Sequence, residues 1–476
     1  MVLATTALLL GSSLGGRAPA ATAAPVSSDR PPLTAAQLEA ARALRERALG
    51  DDVGYEVLRS LTTEVGPRPA GSAAGDRAVQ WALAKLKALG FANVHAEPVW
   101  VPHWIRGEAR AEIISPWPQK LLPVALGGCP PTAANGVEAE VVPVTTLEEL
   151  MAFPPDRVRG KIVFFTARME RTRDTAGYSR AVAARSRGAF TADSLGAVGM
   201  VMRSAGTSSN RLAHTGGQSR DKGNPRIPGM ALSNPDADLL EQQLASGKPV
   251  RVRLWNTSQW ADSVRSANVV GEIPGRDPAH SFVLLGAHLD SWDLGTGAHD
   301  DGAGLAIITA SARLIGQTRP APRRGLRVVL FANEEFGLSG AKAYAHAHQA
   351  ELPRCALALE SDLGAYAPWG LECQVPTDRL PLVKSMLSVI EPLGIEFAGN
   401  QAGGGADIGR LRELGVPVME VDTDAAPYFD LHHTANDTFD KIDPALLRRN
   451  IAAVAPIVYL AAQAQDGFGR LEIKKP

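Results

Sequence analysis

Residues 281–315 read as an apolar run (S-F-V-L-L-G-A), a glycine-punctuated loop rich in histidine and aspartate, and a second apolar run (A-I-I-T-A-S-A-R-L-I). A buried strand that feeds a buried helix through a polar loop points to an open α/β sheet, in which functional groups gather beyond the carboxyl ends of the strands. The loop region over 286–304, G-A-H-L-D-S-W-D-L-G-T-G-A-H-D-D-G-A-G, carries two imidazoles and four carboxylates. His288 offers a neutral nitrogen and Asp300 or Asp301 a hard oxygen. Such donors hold zinc in catalytic sites that keep an open position.

The same logic recurs downstream. Glu334 and Glu335 follow the apolar run Leu326–Ala332, Glu360 and Asp362 follow Ala356–Leu359, and Y-F-D-L-H-H-T-A-N-D over Tyr428–Asp437 adds two more imidazoles. Two divalent ions about 3.5–4 Å apart, sharing one carboxylate, need roughly six protein donors, and this inventory meets that demand. One ion alone would leave too many acids unneutralised. Taken singly, each pattern reads as a surface pair or solvated charge at a turn; jointly, with most of them just past an apolar strand, they read as one site. His346 and His348 stand two apart on a helical run, so their rings point to different faces. These two, with His95, His103, His214, His280 and His299, read as structural or exposed.

In order, the motifs H-x-D, D-D-G-x-G, N-E-E-x-G-L-x-G, E-S-D and H-H-T-x-x-D-T resemble those of the co-catalytic di-zinc exopeptidases, the family of bacterial aminopeptidases and carboxypeptidase Q-type enzymes. S-W-D-x-G after H-L-D resembles the carboxypeptidase Q branch, and T-T-E-V-G-P-R-P-A-G-S over Thr62–Ser72 resembles the family's first helix and loop. The resemblance implies two Zn2+ ions. Asp300 would bridge them, Glu335 and His433 would complete one, and His288 and Asp362 the other. Glu334 would be the general base, and Asp290, two residues beyond His288, would accept that imidazole's other N–H and fix its tautomer. His433 is preferred to the adjacent His432 because it stands four residues before Asp437. In the family the Asp300–Asp301 peptide is often cis. The implied fold is a mostly parallel central α/β sheet flanked by helices, with a smaller protease-associated domain inserted. The implied reaction is hydrolysis of peptide bonds in unblocked dipeptides or short peptides. A broad zinc aminopeptidase is the alternative, because the same metal cage serves both; a glutaminyl cyclase on this fold is disfavoured by the intact donor set. From a different class comes a non-catalytic peptidase-fold binding protein, against which the presence of every donor and of Glu334 argues.

Organisation along the chain fits this reading. Thr34 and Gln37 predict a capping box for a helix ended by Gly50, and a second helix over 74–89, closed by Gly90, leads into a strand over 94–101. Residues 29–122 then form the first part of a catalytic domain, 123–260 the insert, and 261–476 the second part. The insert's strands are expected in R-G-K-I-V-F-F, after L-G-A-V-G, and in K-P-V-R-V-R-L-W. Its long segment 171–224 either covers the site's mouth, mediates homodimer contacts, or is a solvated loop. The run Gly403–Gly409, G-G-G-A-D-I-G, lets backbone approach a ligand, and Asp407 is a candidate for a substrate's ammonium group; a glycine-rich turn with a capping Asp is the plainer alternative.

With 476 residues and 45% hydrophobic content the chain is long enough for two or three domains with buried cores. A formal net charge of −1, with no basic run longer than Lys474–Lys475, excludes binding driven by nucleic-acid phosphates. Residues 1–28 combine an apolar stretch with small residues at Ala21–Ala23, resembling a secretory signal, so export to the periplasm or medium is expected. That apolar run is too short to span a bilayer, and no later transmembrane segment is expected. The three cysteines allow at most one intrachain disulfide, for which Cys355 with Cys373 is the expected pair.

Overall fold

Thr34 and Gln37 form the reciprocal cap, with the Thr34 amide donating to Gln37 Oε1 at 2.7 Å and the Gln37 amide to Thr34 Oγ1 at 3.2 Å. The helix they start, Ala35–Leu49, ends at Gly50. A second long helix, Ala73–Ala88, is capped by Ser72 and leads into the first strand. The computed structural model describes residues 33–219, 223–279 and 281–473; the expected signal, His280 and Lys474–Lys475 lie outside the described residues.

Sixteen strands follow in chain order. After β1 (Ala92–Ile105) come β2 (Ala109–Ser115), β3 (Gln119–Leu121), β4 (Pro123–Ala125), β5 (Val137–Val144), β6 (Ile162–Phe165), β7 (Gly199–Arg203), β8 (Gly229–Leu232) and β9 (Arg251–Asn256). The rest are β10 (Gln259–Ile273), β11 (Phe282–His288), β12 (Gly325–Phe331), β13 (Cys355–Glu360), β14 (Pro368–Gln374), β15 (Glu396–Gly399) and β16 (Val418–Thr423). They build two sheets, ordered β1-β10-β12-β11-β13-β16-β14-β15 and β3-β2-β9-β5-β6-β7-β8-β4.

The first sheet is mixed rather than mostly parallel. Its centre, β12-β11-β13-β16, is parallel, but β1, β10 and β12 pair antiparallel, as do β14 and β16. The long ribbon of β1 on β10 carries the chain out to the second sheet and back, which forces antiparallel pairing on that side. β2 and β3, before residue 123, belong to the second sheet, because β2 pairs antiparallel with both β3 and β9.

β11 is buried along its whole length between β12 and β13, as a continuous apolar run on a central parallel strand should be. Helices Gly304–Gly316, Ala35–Leu49 and Pro444–Gln463 contribute to the core on one face, and Ser339–Ala347 and Gly405–Glu413 to that on the other. Pro444–Gln463 is long and apolar enough to cross a bilayer, but 78% of its apolar window is buried inside the fold, so it serves as a core helix. The expected Cys355–Cys373 disulfide does not form; both thiols are free, as is Cys129. Strand β16 lies between β13 and β14, and the two cysteines pack into cores on opposite faces of the sheet.

Candidate metal centre

Each donor-bearing segment leaves the carboxyl end of a strand in the parallel centre. His288 is the last residue of β11, and Asp300 and Asp301 lie in the loop before the helix Gly304–Gly316, joined by a cis peptide. Glu334 and Glu335 follow β12, Asp362 stands two past the end of β13, and His432 and His433 follow the helix Ala425–Leu431 beyond β16. His288 Nε2 lies 3.1 Å from Asp300 Oδ1 and 3.4 Å from Asp362 Oδ1. His433 Nε2 lies 3.2 Å from Asp300 Oδ2 and 3.1 Å from Glu335 Oε2. The structure therefore brings His288, Asp300, Glu335, Asp362 and His433 together with Asp300 in the middle, facing one imidazole with each oxygen. His432 is stacked on His433 with ring centroids 3.5 Å apart, and its Nε2 stands farther from Asp300 Oδ2, at 3.6 Å.

The electrostatics are those of a cation well. Burial opposes ionisation of Asp300, but hydrogen bonds from His288 and His433 outweigh it and hold its carboxyl well below the usual range. Burial also opposes charge on the two imidazoles, yet Asp362 and Asp300 beside His288, and Glu335 and Asp300 beside His433, push both well up. Burial and neighbouring acids raise Glu334, Glu335 and Asp362. Glu335 Oε1 and Asp362 Oδ1 are buried and accept no hydrogen bond. Orphaned carboxylate oxygens converging with imidazole nitrogens fit a zinc-type cation. Candidate donor groups include Asp300 with His432 and His433, His288 with Asp300 and Glu335, and His288 with Asp301 and Asp362. In the last, Asp301 is already engaged: its Oδ2 accepts the His288 amide at 3.2 Å and its Oδ1 the Gly304 amide at 3.0 Å.

One expected role changes. His288 Nδ1 meets the backbone carbonyl of Asp290 at 3.0 Å, while the Asp290 carboxylate is 3.8 Å away and accepts the Glu334 amide at 3.1 Å. The Asp290 carbonyl sets the imidazole tautomer, and its carboxylate fixes the backbone at Glu334. Asp407 is only 1% exposed, and both of its carboxylate oxygens are buried without a hydrogen-bond partner. The glycine run brings backbone to Glu360: a Cβ on Gly405, at φ +79°, would lie 2.4 Å from the Glu360 carboxyl carbon. That carboxylate accepts the amides of Asp407 at 3.2 Å and Ile408 at 2.7 Å, capping the helix Gly405–Glu413 from a neighbouring strand.

Supporting groups escaped the sequence reading. Arg68 is fully buried and donates to the carbonyls of Leu289 at 2.7 Å, Thr296 at 2.6 Å and Gly297 at 3.0 Å, tying down the loop between His288 and Asp300. Asp437 accepts the amides of His299 at 2.7 Å and Asp300 at 3.1 Å. Its place in H-H-T-x-x-D-T was the one available signal. From the second sheet's unit, the Thr215 carbonyl lies 3.2 Å from His433 Nδ1, and His214 Nδ1 lies 2.7 Å from the His432 carbonyl. His299 turns away from the donors and stacks on Tyr366 with centroids 4.6 Å apart.

The centre opens into a cavity of about 1180 Å³. Its lining includes Glu334, Glu335 and Asp362, and also the neighbouring acids Glu372, Glu420 and Asp422. The segment 171–224 is not a solvated loop. It contains the helix Ala176–Ser194 and strand β7, and its Tyr178, Arg185 and Gln218 line the same cavity.

The sequence profile described as Peptidase family M28 matches residues 268–458, a span that includes every donor named above. Carboxypeptidase Q of Bos taurus is 35% identical over 416 residues, covering 87% of this chain and 86% of that protein. A crystal structure of a peptidase M28 precursor from Shewanella amazonensis SB2B is similar with a TM-score of 0.90 and 44% identity, over 92% of this chain and 99% of that one. A zinc aminopeptidase from Bacillus subtilis shares the fold at a TM-score of 0.64 and 21% identity, over 89% of this chain and 98% of that one. Likeness along most of both chains, together with an imidazole and carboxylate cluster inside the matched span, means that this chain belongs to peptidase family M28.

Proposed function

We propose that the chain is a di-zinc exopeptidase that hydrolyses unblocked dipeptides or short peptides. The observation that carries this reading is Asp300, whose two carboxylate oxygens each face a different imidazole within 3.2 Å. In this reading Asp300, Glu335 and His433 would hold one ion, and Asp300, His288 and Asp362 the other. Zinc bound there supplies Lewis acidity, polarising the scissile carbonyl and making water nucleophilic at neutral pH. Glu334 stands half-buried on the cavity wall, with its backbone held by Asp290. Its carboxylate takes the proton from the attacking water and delivers it to the leaving amine, and burial beside other acids raises its proton affinity toward that task. The dipeptide preference rests on the likeness to carboxypeptidase Q. We read the second sheet and its helices as a protease-associated domain, and residues 1–28 as support for export.

A broad aminopeptidase is the second reading. It is favoured by the neighbouring acids Glu372, Glu420 and Asp422 and by a cavity of about 1180 Å³, larger than the roughly 300–1,000 Å³ of typical small-molecule pockets. The test compares a free dipeptide with its N-acetylated, C-amidated and tetrapeptide counterparts by mass spectrometry, with and without chelator. Chelator-sensitive cleavage of the free dipeptide alone supports the first reading. Equal amino-end trimming of the amidated dipeptide and the tetrapeptide supports the second, and no cleavage by zinc-loaded protein sinks both.

A further inference from the structure

Among the described residues four arginines are buried: Arg68, Arg185, Arg203 and Arg324. Three are compensated. Arg68 donates to carbonyls of the donor loop, Arg203 pairs with Asp238 at 2.8 Å and Glu241 at 2.7 Å, and Arg324 donates to the carbonyls of Ala461 and Ala464. Arg185, at 9% exposure, differs from all of them. Among the described residues no carboxylate or carbonyl accepts from it. Its Nη1 donates to the Tyr178 hydroxyl at 2.6 Å and stands 3.4 Å from His433 Nδ1, while its Nε is buried without a partner.

The contact with His433 does not resolve this. Nε2 of His433 faces Asp300 and Glu335, so Nδ1 carries the ring proton and donates it to the Thr215 carbonyl at 3.2 Å. A protonated Nδ1 cannot also accept from a guanidinium, which leaves Tyr178 as the one acceptor. The guanidinium lies close against the backbone of Gly216, where an added Cβ would come within 2.4 Å of Nη1, so its position is fixed from behind. The other end of the problem is the cavity, which Arg185 and Tyr178 line together with Glu335, Asp362 and His433. A buried guanidinium without a counter-charge is costly, and a planar fork is suited to a carboxylate.

We propose that Arg185, steadied by Tyr178, binds the free α-carboxylate of the peptide substrate and so selects substrates that end one residue beyond the scissile bond. This rests on the exopeptidase reading above and deepens it: the second sheet's unit supplies the group that recognises the substrate's carboxyl end, while the first sheet supplies the donors. Arg185 is a binding residue here, and Tyr178 a positioning one.

The experiment uses the zinc-loaded full chain with alanyl-leucine and its C-terminal amide. In the wild type kcat/KM should favour the free acid, and in Arg185→Met the free-acid-to-amide ratio should fall by about 100-fold, mainly through a higher KM for the acid. Arg185→Lys, which keeps the charge and loses the fork, should give an intermediate ratio. Calorimetric binding of alanyl-leucine to the Glu334→Gln protein should weaken by a similar factor when Arg185→Met is added. Equal loss on both substrates, with the ratio intact and the zinc content lowered, would make Arg185 a support for His433 and overturn the inference. So would a wild type that cleaves the amide as well as the acid, even without any variant in hand. If the wild type trims a tetrapeptide but leaves both dipeptides intact, the dipeptide reading fails first and takes this inference with it.

Discussion

The two sheets face the same cavity and contribute opposite things to it. The first places every metal-type donor at the carboxyl ends of strands β11, β12, β13 and β16 or in the loops that follow them, where helices and buried strands fix their spacing. The second places no carboxylate or imidazole among the donors; it presents backbone carbonyls, a tyrosine and an arginine from the segment 171–224. The first sheet's groups gain from being close enough to repel one another, because a cation repays that repulsion, whereas the second sheet's cation is kept apart from any anion of its own. The comparison teaches that chemistry and selection can be divided between separate layers of one chain.

The sharpest way to break the comparison is Glu334→Gln. It should lower kcat by roughly 10²- to 10⁴-fold, the range for loss of a general base, while zinc content and dipeptide binding stay at wild-type levels. Metal analysis and calorimetry on the same sample check this. A large fall in zinc content would mean that Glu334 belongs to the donors and not to the proton path. Next in size is Arg68→Met. It strands three buried carbonyls of the donor loop, each worth about 1–3 kcal/mol when left unpaired in the interior. Stability should fall by about 3–5 kcal/mol in chemical denaturation, with zinc retention falling alongside, while limited proteolysis still leaves the unit over 109–256 intact. Simultaneous loss of both sheets would show that the layers do not behave as separate units.

How much of this was legible in the sequence follows from the same division. His288, Asp300, Glu335 and Asp362 lie in polar stretches beyond apolar runs, where a parallel sheet exposes side chains, but the choice among neighbouring acids came from the family resemblance. His433 needed the spacing to Asp437 as well. Arg185 was unreadable: it lies mid-helix among serines, alanines and other arginines, and its neighbour His433 is 248 residues away. The surroundings of Asp407 were equally hidden. Nothing in G-G-G-A-D-I-G reveals that Glu360, on another strand, already occupies the start of that helix. The mixed pairing of the first sheet and the free state of Cys355 and Cys373 depend on strand order, which periodicity does not contain.

Asp437→Asn sharpens the comparison within the first layer. The carboxylate accepts two backbone amides around Asp300, and an asparagine can accept with one oxygen but not with two. Zinc affinity should fall by about 10- to 100-fold, as is typical when a group that orients a metal ligand is changed. Competition with a chromogenic chelator reads this directly. An unchanged affinity would mean that the backbone at Asp300 is held well enough by Arg68 and the loop alone.

The smallest effect comes from an ion pair in the first layer that lies off the rim. His348 Nε2 meets Glu97 Oε1 at 2.8 Å, joining the helix side of the sheet to β1. The hydrogen bond that His348 donates to Glu97 raises the His348 pKa, and although burial acts the other way on Glu97, the same bond holds that carboxyl below its usual range. A raised histidine contributes stability that is full below its unfolded value and fades as pH rises through its folded value; a depressed glutamate contributes above its unfolded value and loses it as pH falls. The pair therefore stabilises most between the unfolded values of about 4.3 and 6.5. His348→Gln should cost about 0.5 kcal/mol near pH 5.5, a figure reduced by partial solvent screening, and the deficit should shrink as pH rises through the folded pKa of His348. Denaturation midpoints at several pH values measure it. Zinc content and turnover should not change, because neither residue touches the cavity; a loss of turnover here would show that this edge of the first sheet communicates with the donors after all.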